Sequence, residues 1–149
     1  KDTAICFPHN FETMHERLSA TIKYQHDKVI RAEFAKHIEE RKQLEFFDDN
    51  LMIVQPKQLS DIAYEGKVLH HCVGGYAERH AKGALNIMFI RKKSEPDKPY
   101  YTMEVSVDGK IVQVRGKRNI APNKEVEDLI KGYKAYLEKI FSDKRRKTA

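Results

Sequence analysis

Apolar residues recur at helical intervals over the first third of the chain. From Phe11 to about Phe47, Met14, Leu18 and Ile22 are spaced by four, and Ile30, Phe34 and Ile38 resume the stripe after a gap, with charges on the other faces. Asn10 stands where an N-cap would, a break is expected near Gln25–Asp27, and Asp48, Asp49 and Asn50 end the stretch. Leu51-Met52-Ile53-Val54, ahead of Pro56, reads as a short strand. Leu59 to Gly66 predicts one or two helical turns, with Ser60 or Asp61 as cap and Gly66 as stop. A second short helix is expected from Tyr76 to Lys82, ending at Gly83.

The period then changes to that of strands. Asn86–Arg91, Tyr100–Val107 and Lys110–Arg115 read as a β meander, and Asp108-Gly109 fits a two-residue type I′ turn, whose backbone needs positive φ. Such a turn sets Glu104 opposite Gln113 and diagonal to Arg115. Met103, Val105, Val107, Val112 and Val114 then share the expected core face, while Thr102, Glu104, Ser106, Gln113 and Arg115 share the polar face. Pro122 and Asn123 open a last helix through about Phe141, striped by Val126, Leu129, Ile130, Tyr133, Leu137 and Ile140. The order predicts an α+β domain in which an antiparallel meander of three to four strands packs against N- and C-terminal helices. Residues 1–143 are expected to form this single domain, and 144–149 a disordered basic tail.

Composition narrows the class. The chain has 149 residues, 40% apolar and 34% charged, which is a globular balance. Its formal net charge of +6 is concentrated at Lys144–Lys147 and at Arg115, Lys117 and Arg118, so a polyanion such as DNA or RNA is the expected partner. The two cysteines, Cys6 and Cys72, form no disulfide framework, and no apolar run is long enough to cross a membrane. The resulting expectation is a cytoplasmic location with reduced thiols and no membrane contact. Because the sequence opens mid-pattern at Lys1, it is expected to be a fragment of a longer protein.

The chemistry-bearing segment is His70-His71-Cys72, followed by Gly74-Gly75 and a short helix. A thiol or imidazole before a helix start sees unpaired N–H groups and the positive end of the dipole, and paired glycines admit close backbone approach or an anion. Three readings stay open. Cys72 is a nucleophile with a histidine base. Alternatively His71 works with Glu104 and Arg115 in metal-independent phosphodiester cleavage, a base removing a 2′-OH proton while the guanidinium stabilises developing charge. In the third, these residues pack structurally around a concavity that only binds. No metal or cofactor is expected: adjacent His and Cys do not converge on one ion, and His9, His15 and His80 lack ligand spacing with them.

The residues Glu65-Gly66, Leu69, His71-Cys72-Val73-Gly74, Tyr76 and Gly83, followed by Ile87, Ile90-Arg91, Pro99, Thr102, Glu104, Gln113, Arg115-Gly116 and Pro122, resemble the signature of the PcfJ-like family. Phe7-Pro8 through His15 resembles that family's first segment. The resemblance implies conjugative plasmids, integrative elements or phages as the genetic setting, a cytoplasmic location and proximity to DNA or RNA. It also implies that His71, Cys72, Tyr76, Arg91, Glu104, Gln113, Arg115 and Asn119 occupy the family's polar motif positions, and it implies no mechanism. His70 is read as optional. The expectation is therefore a nucleic-acid-associated domain with an anion-binding pocket between the His71–Tyr76 loop and the polar sheet face. Arg91, Arg115, Lys117 and Arg118 would contact phosphate, and Tyr76, Thr102, Gln113 and Asn119 would position the substrate. The alternatives are a Cys72-dependent enzyme acting on protein or nucleotide-derived substrates, and a non-catalytic module binding proteins of the same element in a conjugation, replication or anti-defence assembly.

Overall fold

The computed structural model describes residues 27–148. Asn10, the stripe from Phe11 to Ile22, Cys6, His9 and His15 lie outside the described residues. Helix α1, over residues 27–42, buries Ile30 and Phe34 as the stripe predicts. It does not reach Phe47. Phe46–Phe47 instead form strand β1, because the Phe46 ring packs against Tyr133 and Tyr136 of the last helix at centroid distances of 5.6 and 5.2 Å. Tertiary burial here overrides helical spacing. Asp48 closes the following turn by accepting the Leu51 N–H on Oδ1 at 2.6 Å.

Four further strands follow: β2 (Leu51–Val54), β3 (Asn86–Lys92), β4 (Tyr101–Val105) and β5 (Ile111–Arg115). Among the described residues the sheet therefore has five antiparallel strands rather than three or four, ordered β1-β2-β3-β4-β5 as in the chain. The extra pairing comes from β1 and β2, which add to the edge of β3. Helices α2 (Ser60–Leu69) and α3 (Ala77–Ala81) are inserted between β2 and β3, and α4 (Lys124–Thr148) follows β5. Asn123 caps α4 by accepting the Val126 N–H on Oδ1 at 2.9 Å. This helix runs past Phe141, so Lys144–Lys147 are helical where a disordered tail was expected.

Alternation along the strands splits the core into two layers. Met88, Ile90, Met103, Val105 and Val114 face Val126, Leu129, Tyr133 and Leu137 of α4. On the opposite face Ile87 and Phe89 pack with Ile62, Val73 and Leu85. Strand β3 is thus covered on both sides, while β5 is an edge of the sheet among the described residues.

The hairpin departs from the expected two-residue turn. Its loop holds three residues, Val107, Asp108 and Gly109: Gly109 N donates to Ser106 O at 3.0 Å, Ser106 N donates to Lys110 O at 2.8 Å, and Gly109 takes φ +88. Thr102↔Arg115, Met103↔Val114 and Glu104↔Gln113 pair as predicted, but Val105 pairs with Ile111. Val112 is the surplus residue of a β-bulge. Val107 and Val112 are consequently 61% and 55% exposed, not core.

A second polar group sits inside the fold. Arg41 donates to Asn86 Oδ1 at 2.7 Å and to the carbonyls of His80 and Leu85, tying α1 to α3 and β3. His80 has no exposed surface, and its Nδ1 accepts the Ile87 N–H at 2.9 Å. Burial, reinforced by the charges of Arg41 and then His37, pulls His80 from the ordinary 6.5 down to about 3.

Two outcomes follow from this packing. Val112→Ser should change unfolding stability in urea by no more than about 0.5 kcal/mol, whereas Val114→Ala should cost about 2 kcal/mol. A cost at Val112 as large as about 2 kcal/mol would place it in the core and refute the bulge. His80 binds its proton more weakly folded than unfolded, so its contribution is fully present above the unfolded value of 6.5 and is lost as pH falls toward 3. Urea midpoints taken from pH 7 to 4 should fall, and His80→Asn should flatten that fall.

Candidate functional site

Helix α2 sets up the site. Gly66 lies inside the helix rather than at its end, and its role is close approach: a Cβ there would meet Gly74 N at 3.0 Å and His71 O at 3.1 Å. The helix ends instead at His70, which takes the left-handed conformation at φ 55. That reversal leaves His70 exposed and aims the extended His71 back at the sheet. The residues Cys72–Tyr76 then wind into a 3₁₀ turn whose first N–H groups include that of Val73, which donates to His71 Nδ1 at 3.5 Å.

Between this turn and the outer face of β4 and β5 lies a pocket of about 390 Å³. His71, Cys72 and Tyr76 line it from the turn, Thr102 and Glu104 from β4, Gln113 and Arg115 from β5, and Asn119 from the loop beyond. Its apolar walls are Val73 and Ile87. His71 and Glu104, on separate elements, thus face one cavity.

The polar contacts give each residue a different freedom. Gln113 Nε2 donates to Glu104 Oε1 at 3.2 Å and to the Tyr76 hydroxyl at 3.5 Å, joining both strands to the turn. The Tyr76 ring is held from outside by the Arg79 guanidinium, 4.4 Å from its centroid. Glu104 is half-buried, and among the described residues no ion pair engages it. Arg115 is exposed and donates to its neighbouring carbonyl, Val114 O, at 2.8 Å. Cys72 is an exposed free thiol at the pocket's lip.

Asn119 reaches the pocket through unusual backbone. Arg118 and Asn119 are consecutive left-handed residues, at φ 56 and φ 65, in a small loop closed by Gly116 N donating to Ile120 O at 2.9 Å. Two such non-glycine residues cost about 1–3 kcal/mol each. Lys117 and Arg118 are exposed on this loop but do not line the cavity.

Arg91 does not join the pocket, contrary to its expected phosphate contact. It is buried on the α2 side of β3, where Nη1 and Nη2 donate to Glu65 Oε2 and Oε1 at 3.0 and 2.5 Å. Glu65, which has no exposed surface, also accepts from the Thr102 hydroxyl at 2.9 Å, and Thr102 Oγ1 lies 3.0 Å from His71 Nε2. Glu65 was not among the expected site residues. A signal was there: Ile62, Glu65, Gly66 and Leu69 have the i, i+3, i+4, i+7 spacing of a buried stripe, with a carboxylate in it. Arg91 has the same parity as Ile87 and Phe89 on β3. Opposite charges at two core positions point to a buried pair.

Among the described residues, no three His, Cys, Asp or Glu side chains gather as a metal site needs. No described helix is long and apolar enough to cross a membrane.

The profile of the PcfJ-like protein family matches residues 1–130. This chain belongs to the PcfJ-like family. An uncharacterized protein of Listeria innocua is 35% identical to it over 136 residues, covering 90% of this chain and 30% of that protein. The PcfJ-like chain thus spans less than a third of the relative's length. No solved structure matches it.

Breaking the buried pair should cost far more than a surface ion pair would. Glu65→Ala leaves Arg91 charged and unpaired, and should destabilise the PcfJ-like domain by about 3–5 kcal/mol in urea unfolding. Lys124→Ala, which removes an exposed ion pair to Asp128, should cost less than about 0.5 kcal/mol. A loss at Glu65 no larger than that at Lys124 would contradict the burial described.

Proposed function

We propose that this PcfJ-like chain is a nucleic-acid-associated domain of a mobile genetic element, and that its pocket takes a phosphate-bearing strand and cleaves it without a metal ion. The observation that carries the reading is the meeting of a half-buried carboxylate that no described ion pair engages, Glu104, held on one oxygen by Gln113, with an exposed guanidinium, Arg115, in one cavity. Lys117 and Arg118 extend the positive charge along the adjoining loop. In this reading Glu104 takes the proton of a ribose 2′-OH, the freed oxygen attacks the adjacent phosphorus, and Arg115 stabilises the charge on the phosphoryl oxygens. The 5′-oxygen leaves with a proton from solvent, giving a 2′,3′-cyclic phosphate. His71 is not the base: Nε2 is engaged with Thr102, and Nδ1 faces the Val73 N–H. It shapes the pocket instead. The flanking sequence in longer relatives would supply partners and context.

The exposed Cys72 thiol on the same cavity supports a second reading, nucleophilic chemistry at sulfur. It is the weaker one, because the neighbouring imidazole has both nitrogens engaged and offers no free base.

A single assay separates these. Labelled single- and double-stranded RNA and DNA are incubated, with chelator present, with the parent chain, Glu104→Gln, Arg115→Ala and Cys72→Ser. The parent should cleave RNA, the first two variants should be slower by about 100-fold or more, and Cys72→Ser should keep its rate. Strand binding should weaken steeply as salt rises, since phosphate contacts release counterions. Cleavage untouched by Glu104→Gln would overturn the assignment. No cleavage and no salt-dependent binding would leave a protein-interaction module.

A further inference from the structure

One line of hydrogen bonds runs from beneath α2 into the pocket, and the position of every proton along it follows from chemistry. Arg91 donates twice to Glu65, so Glu65 stands as a carboxylate with only lone pairs to offer. The Thr102 hydroxyl at 2.9 Å from Glu65 Oε2 must therefore be the donor. A hydroxyl has one proton, and with that proton given to Glu65 it presents only lone pairs to its other neighbour. His71 Nε2, 3.0 Å away, must then carry a hydrogen and donate it to Thr102 Oγ1. His71 Nδ1 is left with a lone pair, and it is the atom that faces the Val73 N–H at 3.5 Å.

We infer that Thr102, fixed by the buried Glu65–Arg91 pair, is a positioning residue that locks His71 as the neutral Nε2–H tautomer and so holds the Cys72–Tyr76 turn over Glu104 and Gln113. The two ring nitrogens act on different elements. Nε2 ties the ring to β4, and Nδ1 caps the turn that carries Cys72 and Tyr76. The imidazole thus acts as a strut between sheet and roof. A proton on Nδ1 would set two N–H groups against each other and release the roof. The charged and titratable groups around the strut are Glu65 and Arg91 behind it, Lys67 on α2, Glu104 and Arg115 across the pocket, and Cys72 and Tyr76 on the turn. The inference rests on this pocket being the functional site, but its test reads the imidazole directly and does not depend on cleavage.

The measurement is ¹⁵N-resolved NMR of the histidine rings at neutral pH, on the parent chain, Thr102→Val and Thr102→Ser. The parent His71 should show a protonated Nε2 whose hydrogen is protected from exchange with water, and an unprotonated Nδ1. In Thr102→Val that hydrogen should exchange too fast to observe, and the Val73 amide should exchange at least about tenfold faster as the turn loosens. Thr102→Ser, which keeps the hydroxyl, should restore both signals. A proton on Nδ1 in the parent would overturn the direction of the whole chain. An Nε2–H signal equally protected in Thr102→Val would overturn the role of Thr102. If the valine variant does not fold, Thr102→Ala takes its place with the same expected losses, and the parent spectrum still decides the direction of the chain. Where the parent cleaves RNA, Thr102→Val should slow cleavage by about 10- to 100-fold with strand affinity within about twofold, since Thr102 acts through geometry and not charge. A parent that does not cleave sinks the nuclease reading alone and leaves the ring spectra to judge the strut.

Discussion

A carboxylate with no access to water depends on the guanidinium beside it. Separating the Glu65 and Arg91 charges would leave either one stranded in a medium that solvates it poorly, so helix α2 and strand β3 are held in a single relative placement. Apolar contacts between Ile62, Ile87 and Phe89 would tolerate sliding by a fraction of a turn; two forked N–H···O bonds would not. Everything above the pocket hangs from α2. The residue that caps it, His70, reverses the chain, His71 reaches back to β4, and the 3₁₀ turn follows. The net stabilisation from such a pair is small once desolvation is counted, so its effect lies chiefly in geometry.

Much of this was legible in the sequence, and the parts that were not share a cause. Periodicity located α1, α4 and the meander, because amphipathic faces are written directly into spacing. The pocket's polar members could be grouped in advance because the predicted pairing of Glu104 with Gln113 holds: the extra loop residue is offset by the surplus Val112, so alternation on β4 and β5 still places Thr102, Glu104, Gln113 and Arg115 on one face. What spacing does not encode is where the chain leaves its own rhythm. One surplus residue shifts the register at Val112, Phe46 leaves a helical stripe to stack on Tyr133 and Tyr136, and Gly66 serves contact with another segment rather than helix termination. Each is decided by a neighbour distant in sequence. Arg91 was misassigned for the same reason. A basic residue in a strand suggests a partner outside the protein until the acid on α2 is seen to point at it.

The site also combines rigid and strained parts. The turn and the two strands are cross-linked through Tyr76, Gln113 and Glu104, while the loop bearing Asn119 is held in two successive left-handed residues. Gly116 lies against the Tyr101 ring at the base of that loop, where a Cβ would come within 2.7 Å of Cε2. Strain beside an ordered cavity is characteristic of positions kept for what they present rather than for stability.

Strand β5 is the last in the sheet among the described residues, so one row of its backbone N–H and C=O groups faces outward with no described strand beside it. A flat edge carrying exposed valines is a template on which a second copy of the chain could add its own strand. The bulge at Val112 works against this. It breaks the even spacing of hydrogen-bonding groups and increases the local twist, so an incoming straight strand can match only a few residues before it falls out of step. The irregularity that upset the simple alternation therefore also makes this edge a poor match for a straight incoming strand, at the rim where Gln113 and Arg115 stand.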